Sequence, residues 1–293
     1  MDVLGINFSK EDAKLVLDIE RVLVSAEASL RPLQASEMVL FLKNGAVTVF
    51  EQGTSINLKA DWAILRGRGV QAHMTSLLVR LLKQAQVPIF GSSTGVEFTH
   101  NDGKITQMVD FTLHQLPIPH TYVFSKNSAK YVPAILENTS ASYPLVLKKT
   151  GSKGSSVWKV DSWAEIESKL ELVGWGDLFI LQEFIPNHFD IRALYFNGRL
   201  LGAMARKSAD GFYNNASKGA DVEPITITDE EHALSLRACA VLGQGFAGVD
   251  IVRSERGPLF FEINNRPGYE GFERATGINV GEAITKIILA DSK

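Results

Sequence analysis

Residues Gly248–Gly281 read GVDIVRSERGPLFFEINNRPGYEGFERATGINVG. Gly248–Val252 and Pro258–Asn264 are rich in β-branched and aromatic residues and predict two strands, with Arg253–Gly257 as the turn between them. Three-residue hairpin loops favour a glycine at their third, left-handed position. A Glu255-Arg256-Gly257 loop meets that preference and pairs Ser254 with Pro258. In that register Asp250 falls directly opposite Glu262. Asn264 shares the face of Glu262, because strand side chains repeat every second residue. Two carboxylates and an amide oxygen then converge, and like charges side by side in a sheet repel. A hard divalent cation resolves the conflict: Mg²⁺ takes oxygen ligands, often one or two carboxylates with water and substrate phosphates completing the shell. The alternative is a solvated face with basic neighbours.

Working outward, Asp190-Ile-Arg192 opens a strand to Phe196, Asn197-Gly198 marks a tight turn, and Leu200–Lys207 returns. With Phe196 facing Arg199, Arg192 falls near Lys207 and Ala203, and Arg192 and Arg206 share one end of the hairpin. Two clustered cations call for an anion such as phosphate between them, or for Asp190 as a simple ion-pair partner. Leu178–Ile185 reads as a buried strand whose exit, Gln182-Glu183-Phe184-Ile185, offers backbone amides for a purine edge and a carboxylate for a ribose. Tyr143–Lys148 leads into the Gly/Ser loop Lys149–Ser156, and Val157–Val160 returns. Such a loop lets backbone N–H groups approach an anion, although no P-loop motif is present. Lys148, ending the ingoing strand, is either a phosphate contact or a solvated lysine on a surface hairpin.

The first 92 residues alternate strands (Val3–Phe8, Trp62–Arg66, Pro88–Phe90) with helices (about Glu11–Ala26 and His73–Gln84) and include a hairpin, Met38–Lys43 and Val47–Glu51, around Asn44-Gly45. This predicts an open α/β domain ending in a linker near Gly91–Thr94. Gly67-Arg-Gly-Val-Gln-Ala72 matches a dinucleotide fingerprint, which would suit a Rossmann oxidoreductase. It lies far from the first βα turn and lacks the acidic residue expected about twenty positions later. It is better read as a strand-end loop with Arg66 and Arg68 as candidate anion contacts. Further helices are expected at about Lys104–Gln115, Asn127–Asn138 and Asp161–Val173, with a strand at Thr121–Phe124. Thr228-Asp-Glu-Glu231 is a capping box, and Asn279-Val-Gly-Glu282 a second capped start.

Composition sets outer bounds. The 293 residues are 45% hydrophobic and 22% charged with a formal charge of −3, so nothing favours nucleic acid or an anionic membrane as partner. No apolar run approaches the roughly 18 residues of a membrane span. The single cysteine, Cys239, excludes an intramolecular disulfide and fits a reducing compartment. A cytoplasmic protein is expected.

Taken in order, Gly248-Val-Asp250-Ile, Glu262-Ile-Asn264, Pro267-Gly-Tyr-Glu-Gly271-Phe-Glu273 and Thr276-Gly277 resemble the ATP-grasp superfamily, specifically its RimK-like amino-acid ligases. The likeness is specific toward the C-terminus, extends back to about Lys104, and continues more loosely through the first domain. It implies an N-terminal α/β domain (1–92) followed by two α+β subdomains (93–181, with the Gly/Ser lid, and 182–293, with the metal site) that clasp ATP. Position by position, it implies phosphate contacts from Lys104 and Lys148 and a lid containing Gly151, Ser152 and Gly154. Gln182, Glu183, Phe184 and Ile185 would hold adenine and ribose. Asp190 and Arg192 match an Asp-Ile-Arg motif, and Asn215 joins the nucleotide contacts. Asp250, Glu262 and Asn264 match the ligands of two Mg²⁺ ions, with Mn²⁺ an alternative. Arg206 would lie near the transferring phosphate or the substrate carboxylate, making Lys148, Arg192 and Arg206 the catalytic candidates. The chain departs from the pattern in a shorter lid, in Tyr213 replacing an arginine, and at Ser217-Lys218-Gly219-Ala220, all positions that border the substrate.

The implied reaction joins a small-molecule or peptide carboxylate to an amino-acid amine through an acylphosphate, in a dimer or tetramer. A regulator that binds ATP without ligation is the alternative.

Overall fold

The computed structural model describes residues 1–43, 46–51, 54–66, 72–91, 104–149, 157–172, 178–207 and 221–291. The N-terminal part contains β1 (Asp2–Ile6), α1 (Ala13–Ser25), β2 (Ser29–Leu33), β3 (Met38–Lys43), β4 (Ala46–Glu51), β5 (Thr54–Ile56), β6 (Trp62–Leu65), α2 (Ala72–Gln84) and β7 (Ile89–Gly91). A parallel sheet in the order β2-β1-β6-β7 forms its core, as the alternation of strands and helices implies. β2 is absent from the sequence reading because Pro32 interrupts it; at a sheet edge that missing N–H is tolerated. β3, β4 and β5 form a separate antiparallel meander, with Lys43 paired to Ala46 across the Asn44-Gly45 turn, which itself lies outside the described residues.

The central part holds α3 (Lys104–Leu113), β8 (Thr121–Ser125), α4 (Val132–Asn138), β9 (Leu145–Lys149), β10 (Val157–Val160), α5 (Trp163–Glu171) and β11 (Leu178–Glu183). Its antiparallel sheet runs β10-β9-β11-β8. The C-terminal part holds β12 (Phe189–Phe196), β13 (Arg199–Lys207), β14 (Asp221–Pro224), α6 (Asp229–Val241), β15 (Phe246–Ser254), β16 (Gly257–Asn264), α7 (Glu270–Thr276) and α8 (Val280–Asp291). Its antiparallel sheet is ordered β14-β13-β12-β15-β16. Both anticipated caps are present: Glu231 N–H donates to Thr228 Oγ1 at 3.1 Å, and Glu282 N–H to Asn279 Oδ1 at 2.9 Å. Among the described residues, no helix is long and apolar enough to cross a membrane.

Two β-bulges decide which side chains share a face. At the β15–β16 turn Ser254 pairs with Gly257, so the loop is Glu255-Arg256 rather than the expected three residues. A bulge then adds Phe261, and the ladder resumes with Asp250 opposite Glu262 and Gly248 opposite Asn264. The expected carboxylate pair is therefore present, reached by a different turn. In β12–β13, Phe196 faces Arg199 as expected, but a bulge after Tyr195–Leu200 moves Arg192 opposite Met204 instead of Ala203. A one-residue slip exchanges faces. It brings Arg206 opposite Asp190, onto the face that carries Arg192 and Asp250.

The two faces of this sheet pack differently. Ile191, Ala193, Tyr195, Val249 and Ile251 meet α6 and α3, so α3 joins the C-terminal sheet although it precedes the central strands. On the opposite face Leu194, Phe196, Met204 and Phe246 share one core with Val3, Leu15, Ile19 and Leu23 of the first domain and Ile284 and Ile288 of α8. The first domain thus covers the apolar end of a face whose other end is charged.

Candidate active site

At that charged end, Arg192 forks onto Asp250, with Nε to Oδ1 and Nη2 to Oδ2 both at 2.7 Å. Arg206 forks onto Asp190 in the same way, both contacts 2.7 Å, and its Nη2 also lies 3.1 Å from Asp250 Oδ2. Asn264 Nδ2 lies 3.4 Å from the same oxygen. The anion that Arg192 and Arg206 require is supplied by two carboxylates, with Asp190 the partner of Arg206. Burial alone would raise both carboxyl pKa values. At Asp250 the charges of Arg192 and Arg206 override it and hold the group at about 2. At Asp190 burial prevails over Arg206 and pushes the group up to about 6.

Glu262 Oε2 lies 3.0 Å from Lys104 Nζ at the start of α3. The Lys148 ammonium donates to Gln182 Oε1 and lies 5.1 Å from the centroid of the Phe261 ring, the residue added by the bulge. Burial, then the charge of Lys104, lower the Lys148 pKa to about 8 against the pull of Glu262. Both lysines expected at the phosphates thus converge near Glu262. Glu183 is engaged otherwise than expected. Its carboxylate accepts from the His120 backbone N–H at 2.8 Å and from the Arg256 guanidinium, leaving a ribose to compete with both. Lys159 Nζ lies 4.3 Å from the Phe184 ring centroid, and Ile185 is half-buried beside it in sequence. Gly151, Ser152, Gly154, Tyr213, Asn215, 217–220 and Arg68 lie outside the described residues.

Asp250, Glu262 and Asn264 supply hard oxygen donors from adjacent strands, and among the described residues no group of three or more His, Cys, Asp or Glu, here or at any other place, is set to hold a metal by itself. Two carboxylates and an amide suit Mg²⁺ that also binds phosphate oxygens, and they are too few for a cage made by protein alone. The donor set fits the metal that the sequence calls for.

Between the first domain and this sheet lies a cavity of about 580 Å³, whose lining includes Asp12, Arg66, Arg192, Met204, Arg266 and Tyr269. Arg66 Nε donates to Asp12 Oδ1 at 2.9 Å, and Arg266 Nη2 to Asp12 Oδ2 at 2.6 Å. Burial would raise the Asp12 pKa, but the Ser9 backbone N–H and Arg66 together lower it. Asp12 and Arg266 carried no sequence signal of their own, since each joins the cavity through contacts between distant parts of the chain, and Tyr269 was read only as part of the Pro267–Gly271 motif, without a role. Gln107 was also missed. Its side-chain amide exchanges two 2.9 Å hydrogen bonds with the Ile263 backbone, fixing the edge of β16 between Glu262 and Asn264.

A model of the RimK-like ATP-grasp domain matches residues 102–288. The chain belongs to the RimK-like ATP-grasp family. Its relatives include a probable alpha-L-glutamate ligase of Syntrophotalea carbinolica, 31% identical over 210 residues, 70% of this chain and 69% of that protein. One from Shewanella frigidimarina, also named a probable alpha-L-glutamate ligase, is 30% identical over 235 residues, 78% of this chain and 76% of that protein. Among solved structures, the ATP-grasp ligase PsnB, complexed with minimal precursor, Mg and ADP, superposes with a TM-score of 0.76 at 17% identity, covering 100% of this chain and 97% of that one. This RimK-like protein is an ATP-dependent carboxylate–amine ligase.

Proposed function

We propose that this RimK-like ligase uses Mg²⁺ with ATP to couple L-glutamate, as the amine, to a small-molecule or peptide carboxylate. The observation that carries the reading is Asp250, held between Arg192 and Arg206 and paired across the strand with Glu262. The choice of glutamate follows the names of the relatives. We take 1–92, 93–181 and 182–293 as the working divisions of the chain, and a cytoplasmic dimer or tetramer as its form.

In the first step a substrate carboxylate oxygen attacks the γ-phosphorus of ATP, the bond to ADP breaks, and an acylphosphate forms. Such transfers need positioning and charge neutralisation more than covalent help from the protein. When bound, Mg²⁺ neutralises phosphate oxygens that Lys and Arg alone would leave crowded. Asp250, Glu262 and Asn264 are the side chains that would hold it. Without nucleotide, Arg192 and Lys104 neutralise the two carboxylates themselves. With nucleotide present these cations turn to the phosphates, joined by Lys148. Arg206 keeps its fork on Asp190, which orients it toward the reacting centre. In the second step the amine attacks the acyl carbon and phosphate leaves with the bonding pair. The amine proton departs to the released phosphate. A donor well placed on the tetrahedral oxyanion is worth about 2.7–4 kcal/mol, a role open to Arg206.

Glu262→Gln should abolish ADP release in the presence of substrates while leaving the circular dichroism spectrum unchanged. Near-normal turnover by that variant would remove the metal assignment. Mass spectrometry of wild-type reactions holding L-glutamate, Mg·ATP and a mixture of acids and peptides should show addition of one or more glutamate residues.

A further inference from the structure

Arg66 directly follows β6, and its side chain is only 4% exposed. Nε is satisfied by Asp12 and Nη2 by the Pro267 carbonyl at 3.0 Å. Nη1 is buried and has no hydrogen-bond partner among the described residues. The rings of Phe246 and Tyr269, 5.4 Å and 5.7 Å from the guanidinium carbon, fix the orientation of the group. Asp12, its acidic partner, is shared with Arg266, so one carboxylate serves two guanidiniums. Burial therefore pulls the Arg66 pKa down despite Asp12, and Arg266 adds to the fall. A buried charged donor without an acceptor is costly, and such groups in a cavity mark places where a ligand completes the hydrogen bonding.

We propose that Arg66 receives one of the two carboxylates of the amino-acid substrate, with Nη1 as the donor left open for it. The cavity is of a size that holds small ligands, and it runs from Arg66 to Arg192. A ligand anchored at Arg66 therefore extends toward the Arg192–Asp250 pair where the phosphate chemistry is placed. Arg66 lies before residues 102–288, so this anchor puts substrate selection in the first domain, outside the matched family region. The inference rests on the ligase reading and adds to it the residue that recognises the amino acid.

A site built to donate to a carboxylate should reject the matching carboxamide, whose NH₂ would point one donor at another. The test is calorimetric titration of protein loaded with AMPPNP and Mg²⁺, using L-glutamate, its α-amide and its γ-amide. Wild-type protein should bind one of the two amides about 100-fold more weakly than L-glutamate. Arg66→Met should bind that amide and L-glutamate within about 3-fold of each other at unchanged AMPPNP affinity, a loss of discrimination that a purely structural role would not produce. Should Arg66→Met fail to fold, Arg66→Lys carries the test. It keeps the charge but loses the fork, and L-glutamate should bind about 10-fold more weakly. The proposal is overturned if both amides bind wild-type protein as well as L-glutamate, if nucleotide-loaded wild-type protein binds no L-glutamate, if Arg66→Met still discriminates, or if Arg66→Lys binds L-glutamate normally. Wild-type protein that fails to bind AMPPNP overturns the ligase reading itself, and this inference with it.

Discussion

Lys148 carries a charge that its surroundings make expensive, and the direction of the shift has two opposite effects. Its folded pKa of about 8 lies below the ordinary 10.5. Between those values the unfolded chain binds the extra proton, so nucleotide-free stability rises with pH across that window. ATP affinity should move the other way, falling as pH climbs through about 8 and the ammonium facing the phosphates is lost. Titration calorimetry from pH 7 to about 9.5 checks this, the upper limit keeping to the range where Lys148 titrates. Lys148→Met should bind weakly with no slope across the range, and a wild-type affinity flat to the top of it would remove Lys148 from the phosphate site. Arg206 presents a different case. Buried beside Asp190 and Asp250, it is the cation that lets two carboxylates occupy one face. Arg206→Met should lower stability by about 3–5 kcal/mol, the usual penalty for stranding buried charge. Urea unfolding measures it, and Asp190→Asn added to that variant should restore part of the loss.

Among elements, α1 and α8 approach so closely that a side chain at Gly281 has nowhere to go. A Cβ there would sit 2.4 Å from Asp18 Cβ and 3.2 Å from the backbone of Ile19 and Leu15. Gly281→Ala should therefore destabilise the protein by about 1–3 kcal/mol by forcing the helices apart. A thermal scan showing an unchanged or higher midpoint would contradict that packing. The start of α8 itself was legible, because Asn279 and Glu282 stand at capping spacing. So was the carboxylate pair, since Val, Ile, Leu and Phe surrounding Asp250 and Glu262 leave few other structures open. The two bulges were not read, although each falls at an apolar doublet, Leu200-Leu201 and Phe260-Phe261, where strict alternation slips. α7, of seven residues, and β14, of four, are too short to establish a period. Nor could periodicity tell that α3 packs on the C-terminal sheet, because an amphipathic pattern names the buried face and not its partner. The cavity was hidden for the same reason, although Arg66 had been marked as an anion contact.

At the scale of the whole molecule, the cores divide the chain differently from its order. The central sheet has a core of its own, drawn wholly from Phe124–Leu181 and including Leu147, Ile166 and Phe179. The first domain also has a core of its own, drawn from Leu4–Val87 and including Ile6, Leu65 and Leu82, but it shares a second one with the C-terminal part. There Leu15, Ile19 and Leu23 of the first domain lie in one core with Phe196, Phe272 and Ile284. The first and C-terminal parts should therefore unfold as one body and the central sheet as another, because cooperativity follows shared burial. Charged contacts such as Arg256–Glu183 link the two bodies, and partly exposed pairs of this kind add little to stability. Calorimetry of nucleotide-free protein should resolve two transitions. Ile166→Ala should lower only one of them and Ile19→Ala only the other, each by about 2–5 kcal/mol as buried isoleucines do. AMPPNP with Mg²⁺, held between Lys148 of the central sheet and Asp250 of the other body, should raise both, since release of the ligand then accompanies either unfolding. A single transition that both substitutions shift alike would mean that the central sheet is coupled to the rest through contacts stronger than these ion pairs, and that nucleotide does not depend on two separable bodies to be enclosed.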